Sequence, residues 1–347
     1  MEIYLGATLL SGFIYFVMEK LSKKRSVVKI MIAFLPMLIV SAIRYDVGWD
    51  YLDIYTNGFF LIGQGYMPYY FSEIPFDWLV KLIYILSGQN PDWLFFICAI
   101  ITFAFLAKAC KDQSVNIVFS ILLIFLIRYY FLTLNIVRQG IAMSICLYAI
   151  KFIKEKNFKK YFFTILLASC FHMMSLIYIF IYFLCQINWK KKKNILIMAL
   201  IPIVGVALYI IVTKFTKYGN YIGSQYQGNQ FLWHEIILSG SILMLATIEK
   251  NNIIYNKEYF KIYYIIQIIT FIAAICSRFL PVADRIVWLF YVQNIFFIPI
   301  IIKNIKQFDQ KLFILIILII LMSISVYAQV IMTDSYNIIP YKTIFQK

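Results

Sequence analysis

Apolar runs recur from one end of this chain to the other, and the short connections between them are where lysine collects. Inside a bilayer the backbone meets no water, so a run of this kind must close its own hydrogen bonds as a helix. About 20 residues cross the hydrocarbon. On that measure helices are expected over 3–18, 28–43, 93–107, 115–131, 140–153, 195–213, 234–248, 262–276, 286–302 and 312–330. With 63% hydrophobic and only 14% charged residues, a soluble fold would leave much apolar surface in water. The pattern predicts an all-α fold, a polytopic transmembrane helix bundle forming one membrane domain over 1–347. The six cysteines (Cys98, Cys110, Cys146, Cys170, Cys185 and Cys276) lie in or beside the apolar runs without metal-ligand spacing, and read as small apolar filler.

The net charge of +16 invites a nucleic-acid partner, and its distribution argues against one. Connections 19–29, 108–112, 151–160, 190–193, 249–261 and 303–311 hold 22 basic and six acidic residues, the whole excess; the remainder holds ten of each. Such a bias marks cytoplasmic loops. The first apolar run has no basic residue before it and Lys20, Lys23, Lys24 and Arg25 after it. That is the reverse of a secretory leader and predicts an N-terminus outside the cytoplasm.

Two segments need separate treatment. A crossing at 76–87 would give the wrong parity for the basic loop at 151–160, and Asp77, Lys81 and Tyr84 share one helical face. An amphipathic helix at the outer interface is expected there. The run 161–185 lies between two basic loops, so it must go out and return, with about 12 residues, roughly 18 Å, in each limb. A re-entrant hairpin or two short helices, turning near 170–175, is expected. Counting the hairpin as two gives about 12 crossing or re-entrant helices with both termini outside.

With that topology the arginines and lysines separate. Of six arginines only Arg25 falls on the cytoplasmic side; Arg44, Arg128, Arg138, Arg278 and Arg285 lie at outer helix ends or in outer connections. The planar guanidinium fork grips phosphate bidentately, which points to a phosphate or diphosphate at the membrane surface. Arg128, beside Tyr129 and Tyr130, instead reads as a headgroup anchor. The outer connections 44–75 and 214–233 are the larger ones. The first carries Asp46, Asp50, Asp53 and Glu73 among aromatic residues, a composition suited to binding sugars or, equally, to an interfacial belt. His172 at the hairpin turn is an ionisable group at membrane depth and a functional candidate on that ground. His234 beside Trp233 and Glu235 reads as an interfacial anchor.

At these residues the chain resembles the EpsG-like branch of the Wzy-type polysaccharide repeat-unit polymerases. Arg44-Tyr45-x-x-Gly48-x-Asp50-Tyr51-x-x-x-Tyr55 comes first, then Ile136-Val137-Arg138-Gln139-x-Ile141-Ala142, then Phe171-His172-Met173-x-Ser175. Arg285 at the head of an aromatic helix and the tail Asn337-x-x-Pro340-Tyr341-Lys342 complete the order. Trp49 departs from the smaller polar residue more usual there.

The resemblance implies a glycosyltransferase of O-antigen, capsule or exopolysaccharide biosynthesis in the bacterial cytoplasmic membrane. It would work on polyprenyl (undecaprenyl) diphosphate-linked oligosaccharides at the outer face. Expected partners are that lipid-linked oligosaccharide, membrane lipid and, as a further partner, a chain-length regulator protein. Arg44, Tyr51, Tyr55, Arg138, Gln139, Arg278 and Arg285 are expected to bind diphosphate or glycan, and Asp50, Asp46 or His172 to take the acceptor's proton. No cofactor is needed, because the glycosyl diphosphate carries its own activation, and no metal is assigned, although an Asp50/Asp53 site stays open. The alternatives are a lipid-linked glycan flippase, an O-antigen ligase and a transferase adding single sugars. Against the flippase stand the lack of an internal repeat and of basic groups deep in both leaflets.

Overall fold

The apolar runs form helices, capped mainly at the lysine-rich end. The computed structural model describes residues 1–66, 73–187, 232–279 and 283–346. The expected helix 195–213, the lysines 190–193 and the loop 214–233 up to residue 231 lie outside the described residues. In chain order the helices are α1 (Glu2–Leu21), α2 (Val27–Ala42), α3 (Asn57–Gly63), α4 (Ile74–Leu86), α5 (Asp92–Gln113), α6 (Ile117–Leu126), α7 (Tyr129–Asn135) and α8 (Val137–Lys154). They continue with α9 (Phe158–Ser169), α10 (Tyr178–Gln186), α11 (Trp233–Glu249), α12 (Lys257–Ile275), α13 (Ala283–Tyr291), α14 (Asn294–Asn304) and α15 (Phe308–Val326). Ser26, Asn116 and Asn157 cap α2, α6 and α9 by accepting the N–H groups of Lys29, Phe119 and Lys160 at 3.2, 3.1 and 3.0 Å.

Among the described residues, four helices are long and apolar enough to cross a membrane, and six if each of two bent pairs counts as one span. Two further apolar helices, Val27–Ala42 and Met173–Gln186, are shorter. This is a polytopic helical membrane bundle. Its centre is α8, with 15 of 18 residues buried, as a helix hemmed in on every side requires. At the rim, α1 and α15 expose Leu9, Phe13, Phe313, Ile316 and Ile320, a surface suited to lipid rather than water.

The segment expected at the interface forms α4, with Trp78, Ile85 and Leu86 exposed on one side and Phe76 and Val80 buried on the other. The 158–186 stretch is two short helices, α9 and α10, joined through a turn at 170–172 and a 3-10 segment, Met173–Ile177. The Tyr161 hydroxyl donates to the Tyr178 carbonyl and closes the hairpin.

Hydrogen bonds sort the connections onto two ends. At one, Arg25 Nη1 donates to Ser114 O at 2.6 Å, and Lys151 Nζ pairs with Asp112 Oδ2 at 2.9 Å. Tyr259 Oη donates to Asp112 O at 3.3 Å, and Asn304 Oδ1 accepts the N–H groups of Ile254 and Tyr255, each at 2.8 Å. The described basic connections therefore gather together. At the other end Tyr4 Oη donates to Ile338 O at 2.8 Å and Tyr45 N–H to Lys342 O at 2.9 Å, so both termini meet the Arg44 segment.

A membrane-impermeant thiol reagent tests which end faces out. Trp49→Cys, at a 60% exposed position, should label in intact cells, and Lys159→Cys only after permeabilisation. The opposite pattern would invert the orientation.

Candidate functional site

The segment following α2 is shaped by its closest contacts. Gly48 has φ +101°, and a Cβ there would sit 2.6 Å from Leu134 O, so the position excludes a side chain on two grounds. Its N–H donates to Asn337 O at 2.7 Å. Arg44 forms an isolated bridge with Thr343, Tyr341 Oη donates to Val40 O at 2.9 Å, and Lys342 Nζ pairs with Asp46 Oδ2 at 3.0 Å. The C-terminal tail and the Arg44 segment, first and last of the sequence motifs, are thus one strapped unit.

Arg44 itself is 2% exposed. Its guanidinium donates to Ser41 O and, at 3.3 Å, to Leu134 O, with the Phe95 ring centre 4.7 Å away. Tyr51 stacks on Phe95 at 4.1 Å. Both side chains point into the bundle, where Arg44 ties α2, α5 and α7 together.

Arg138, at the start of α8, has a different setting. Its Nη1 meets Glu73 Oε2 at 2.5 Å, and the Phe76 ring centre lies 5.8 Å from its guanidinium. Its backbone N–H donates to Tyr55 Oη at 3.2 Å. Glu73 Oε1 accepts the Met173 N–H at 3.3 Å, which brings the His172 turn to the same place; His172 is 3% exposed. One residue on, Gln139 Nε2 donates to Arg285 O at 2.7 Å. Asp50 is partly buried, and its N–H donates to Asn135 Oδ1 at 3.3 Å.

Burial pushes the Asp50 carboxyl above the ordinary carboxylate range, while the charges of Arg285 and Arg138 pull it back. Burial likewise lifts Tyr55 to about 12, against the pull of Arg138. Arg138, Arg285, Gln139, Asp50, Tyr55 and the His172 turn therefore share one neighbourhood. Arg44 and Tyr51 lie behind it, Asp46 stands with Lys342, and Arg278 is exposed on the 3-10 turn after α12. Among the described residues no group of three or more His, Cys, Asp or Glu side chains gathers to hold a metal.

Arg128 corrects the sequence reading. It is 2% exposed, so it does not reach lipid headgroups. It sits at φ +67°, in the break where α6 and α7 bend by 56°. Its Nη2 pairs with Glu235 Oε1 at 2.6 Å, and its Nη1 donates to Tyr336 Oη at 3.3 Å. Trp288 Nε1 donates to the same Glu235 oxygen at 3.4 Å. Left-handed backbone at a non-glycine residue costs about 1 kcal/mol or more, and the buried ion pair holds it there.

Glu73 and Glu235 are the residues that sequence reasoning undervalued. A signal for them existed: outside the basic connections, acidic and basic residues balance at ten each. Arginines taken out of water need carboxylates, and these two supply them. Chemically the neighbourhood combines two cationic groups with a carboxylate whose proton affinity is raised, an arrangement suited to an anionic leaving group and a nearby proton transfer.

The EpsG family model matches residues 27–343. No curated protein and no solved structure matches.

Removing Arg128 alone should strand Glu235 as a buried charge. Arg128→Met is expected to lower the thermal midpoint of the solubilised protein, at a cost of about 3–5 kcal/mol. Adding Glu235→Leu should recover most of that loss, since a buried pair replaced by apolar groups is often neutral. Equal losses in the single and double variants would remove the ion pair from the account.

Proposed function

The chain belongs to the EpsG family and is a membrane protein of polysaccharide-polymerase type, and from that premise we propose that it polymerises oligosaccharide repeat units carried on a polyprenyl diphosphate at the outer face of the bacterial cytoplasmic membrane. The observation that carries this reading is the convergence of Arg138, Arg285 and Asp50: Gln139, next to Arg138, donates to the Arg285 carbonyl, and both arginine charges act on the partly buried Asp50 carboxyl.

In the proposed reaction a hydroxyl of one lipid-linked repeat attacks the anomeric carbon of the glycan on another. The new glycosidic bond forms as the bond to the diphosphate oxygen breaks, and Asp50 takes the hydroxyl proton. Arg138 and Arg285 receive the negative charge that develops on the departing diphosphate. Gln139, bonded to the Arg285 carbonyl, and Tyr55, bonded to the Arg138 N–H, position those two arginines. Arg44 and Tyr51 brace the wall behind them, and Arg278 meets substrate at the exposed rim. Asp46, already paired with Lys342, and His172 stand second to Asp50 as proton acceptors. A chain-length regulator protein is a proposed partner of this activity.

Two measurements test the reading. Arg138→Lys keeps the charge and loses the bidentate fork, so the glycan ladder should shorten, with output down on the order of tenfold at equal protein level. A normal ladder would remove Arg138 from the reaction.

The second is the pH profile in proteoliposomes. A base works only when ionised, so the rate should fall as pH drops through a value above the ordinary carboxylate pKa of about 4. Arg285→Gln removes a charge that lowers the Asp50 value, and should move that acid limb higher still. Asp50→Asn retaining both rate and limb would exclude Asp50 as the base.

A further inference from the structure

The membrane surface around Arg138 presents a selection problem. Phospholipid headgroups are phosphodiester monoanions at very high local concentration, and an open guanidinium at headgroup level would bind them indiscriminately. Arg138 is not open in that way. Glu73, 4% exposed, holds it at 2.5 Å. The position of Glu73 adds to the point: it is the N-cap residue of α4, yet its side chain makes no cap hydrogen bond to that helix. It turns instead to Arg138 and to the Met173 N–H.

We propose that Glu73 is a specificity-determining counter-ion, an internal stand-in for phosphate that only a ligand of higher charge than a phosphodiester monoanion displaces from Arg138. The proposal rests on the reading of Arg138 as the diphosphate ligand. A monoanion offers Arg138 nothing beyond what the Glu73 carboxylate already provides, and it meets like-charge repulsion from that carboxylate, which is strong when both are desolvated. A diphosphate brings two charges and a second set of oxygens, enough to engage Arg138 together with its neighbour Arg285.

The displaced carboxylate has somewhere to go. The N-terminus of α4 is its own helix end, where negative charge is favoured. Phe76, two residues into α4 with its ring 5.8 Å from the Arg138 guanidinium, stays beside the arginine as Glu73 leaves. The exchange therefore moves the Glu73 side chain from one favourable setting for an anion to another.

The test compares affinities of the full-length purified protein for inorganic pyrophosphate and for dimethyl phosphate, a soluble phosphodiester monoanion. The parent chain should favour pyrophosphate strongly. Glu73→Gln removes the competing charge and should raise the affinity for dimethyl phosphate about tenfold, narrowing the ratio between the two ligands. Glu73→Asp, which keeps the charge but reaches less far, should give an intermediate ratio and serves if Glu73→Gln does not fold. A merely structural Glu73 would weaken both ligands together or neither. An unchanged ratio in the variants, or binding of neither ligand by any chain, overturns the proposal. Arg138→Ala is the separate control: loss of pyrophosphate binding supports the underlying assignment. Retained binding would overturn that assignment, whatever Glu73 does.

Discussion

Three guanidinium groups are buried at one end of this bundle, and the cost of placing them there governs what surrounds them. Taking one such ion out of water costs several kcal/mol unless a partner compensates. Each of the three has a partner from a remote part of the chain: Leu134 is 90 positions from Arg44, Glu235 is 107 from Arg128, and Glu73 is 65 from Arg138. Satisfying three charges therefore draws α2, α4, α7, α8, α11 and the C-terminal tail to one end. Lysines do not impose this, because their stems carry the ammonium out to water, and the connections that hold them are short and locally capped.

Much of the fold was legible in the sequence because the bilayer leaves so few choices. Apolar length specifies helices, and lysine in the connections groups them at a common end; the contacts among Arg25, Ser114, Lys151, Asp112 and Tyr259 agree with that grouping. The bends at Arg128 and between α13 and α14 were not legible, since nothing in an apolar run announces where a helix yields to reach a distant carboxylate. Single residues of the site were legible as types: arginine where lysine would serve topology, and aspartate beside aromatic residues. Their employment was not. Arg44, Arg128 and Arg138 are all buried and differ in the partners that hold them, and those partners are neighbours that a linear reading does not contain.

The same contrast divides the three arginines by what their partners can do. Arg44 is held by backbone carbonyls and a ring face, which cannot leave. Arg128 is held by a carboxylate that also accepts from Trp288, while its other nitrogen is held by Tyr336, so exchange would break several contacts. Arg138 is held by the Glu73 carboxylate, at the start of a peripheral helix, which also accepts the Met173 N–H. Of the three, it is the one whose carboxylate partner is the N-cap residue of a helix, a position that favours the anion even without the arginine.

On the proposed chemistry, exchange at Arg138 also acts on Asp50. In the free protein the fields of Arg138 and Arg285 restrain the rise that burial imposes on the Asp50 carboxyl. A diphosphate bound between those arginines neutralises much of that field, while the burial of Asp50 persists. The carboxylate then gains proton affinity when a donor is in place, and relatively little before. Base strength and donor occupancy are coupled through the same two guanidinium groups, with no element of the bundle having to move. This accounts physically for placing the carboxylate within the fields of the two arginines, partly withdrawn from water: in open water its basicity would be ordinary and indifferent to whether the donor had arrived.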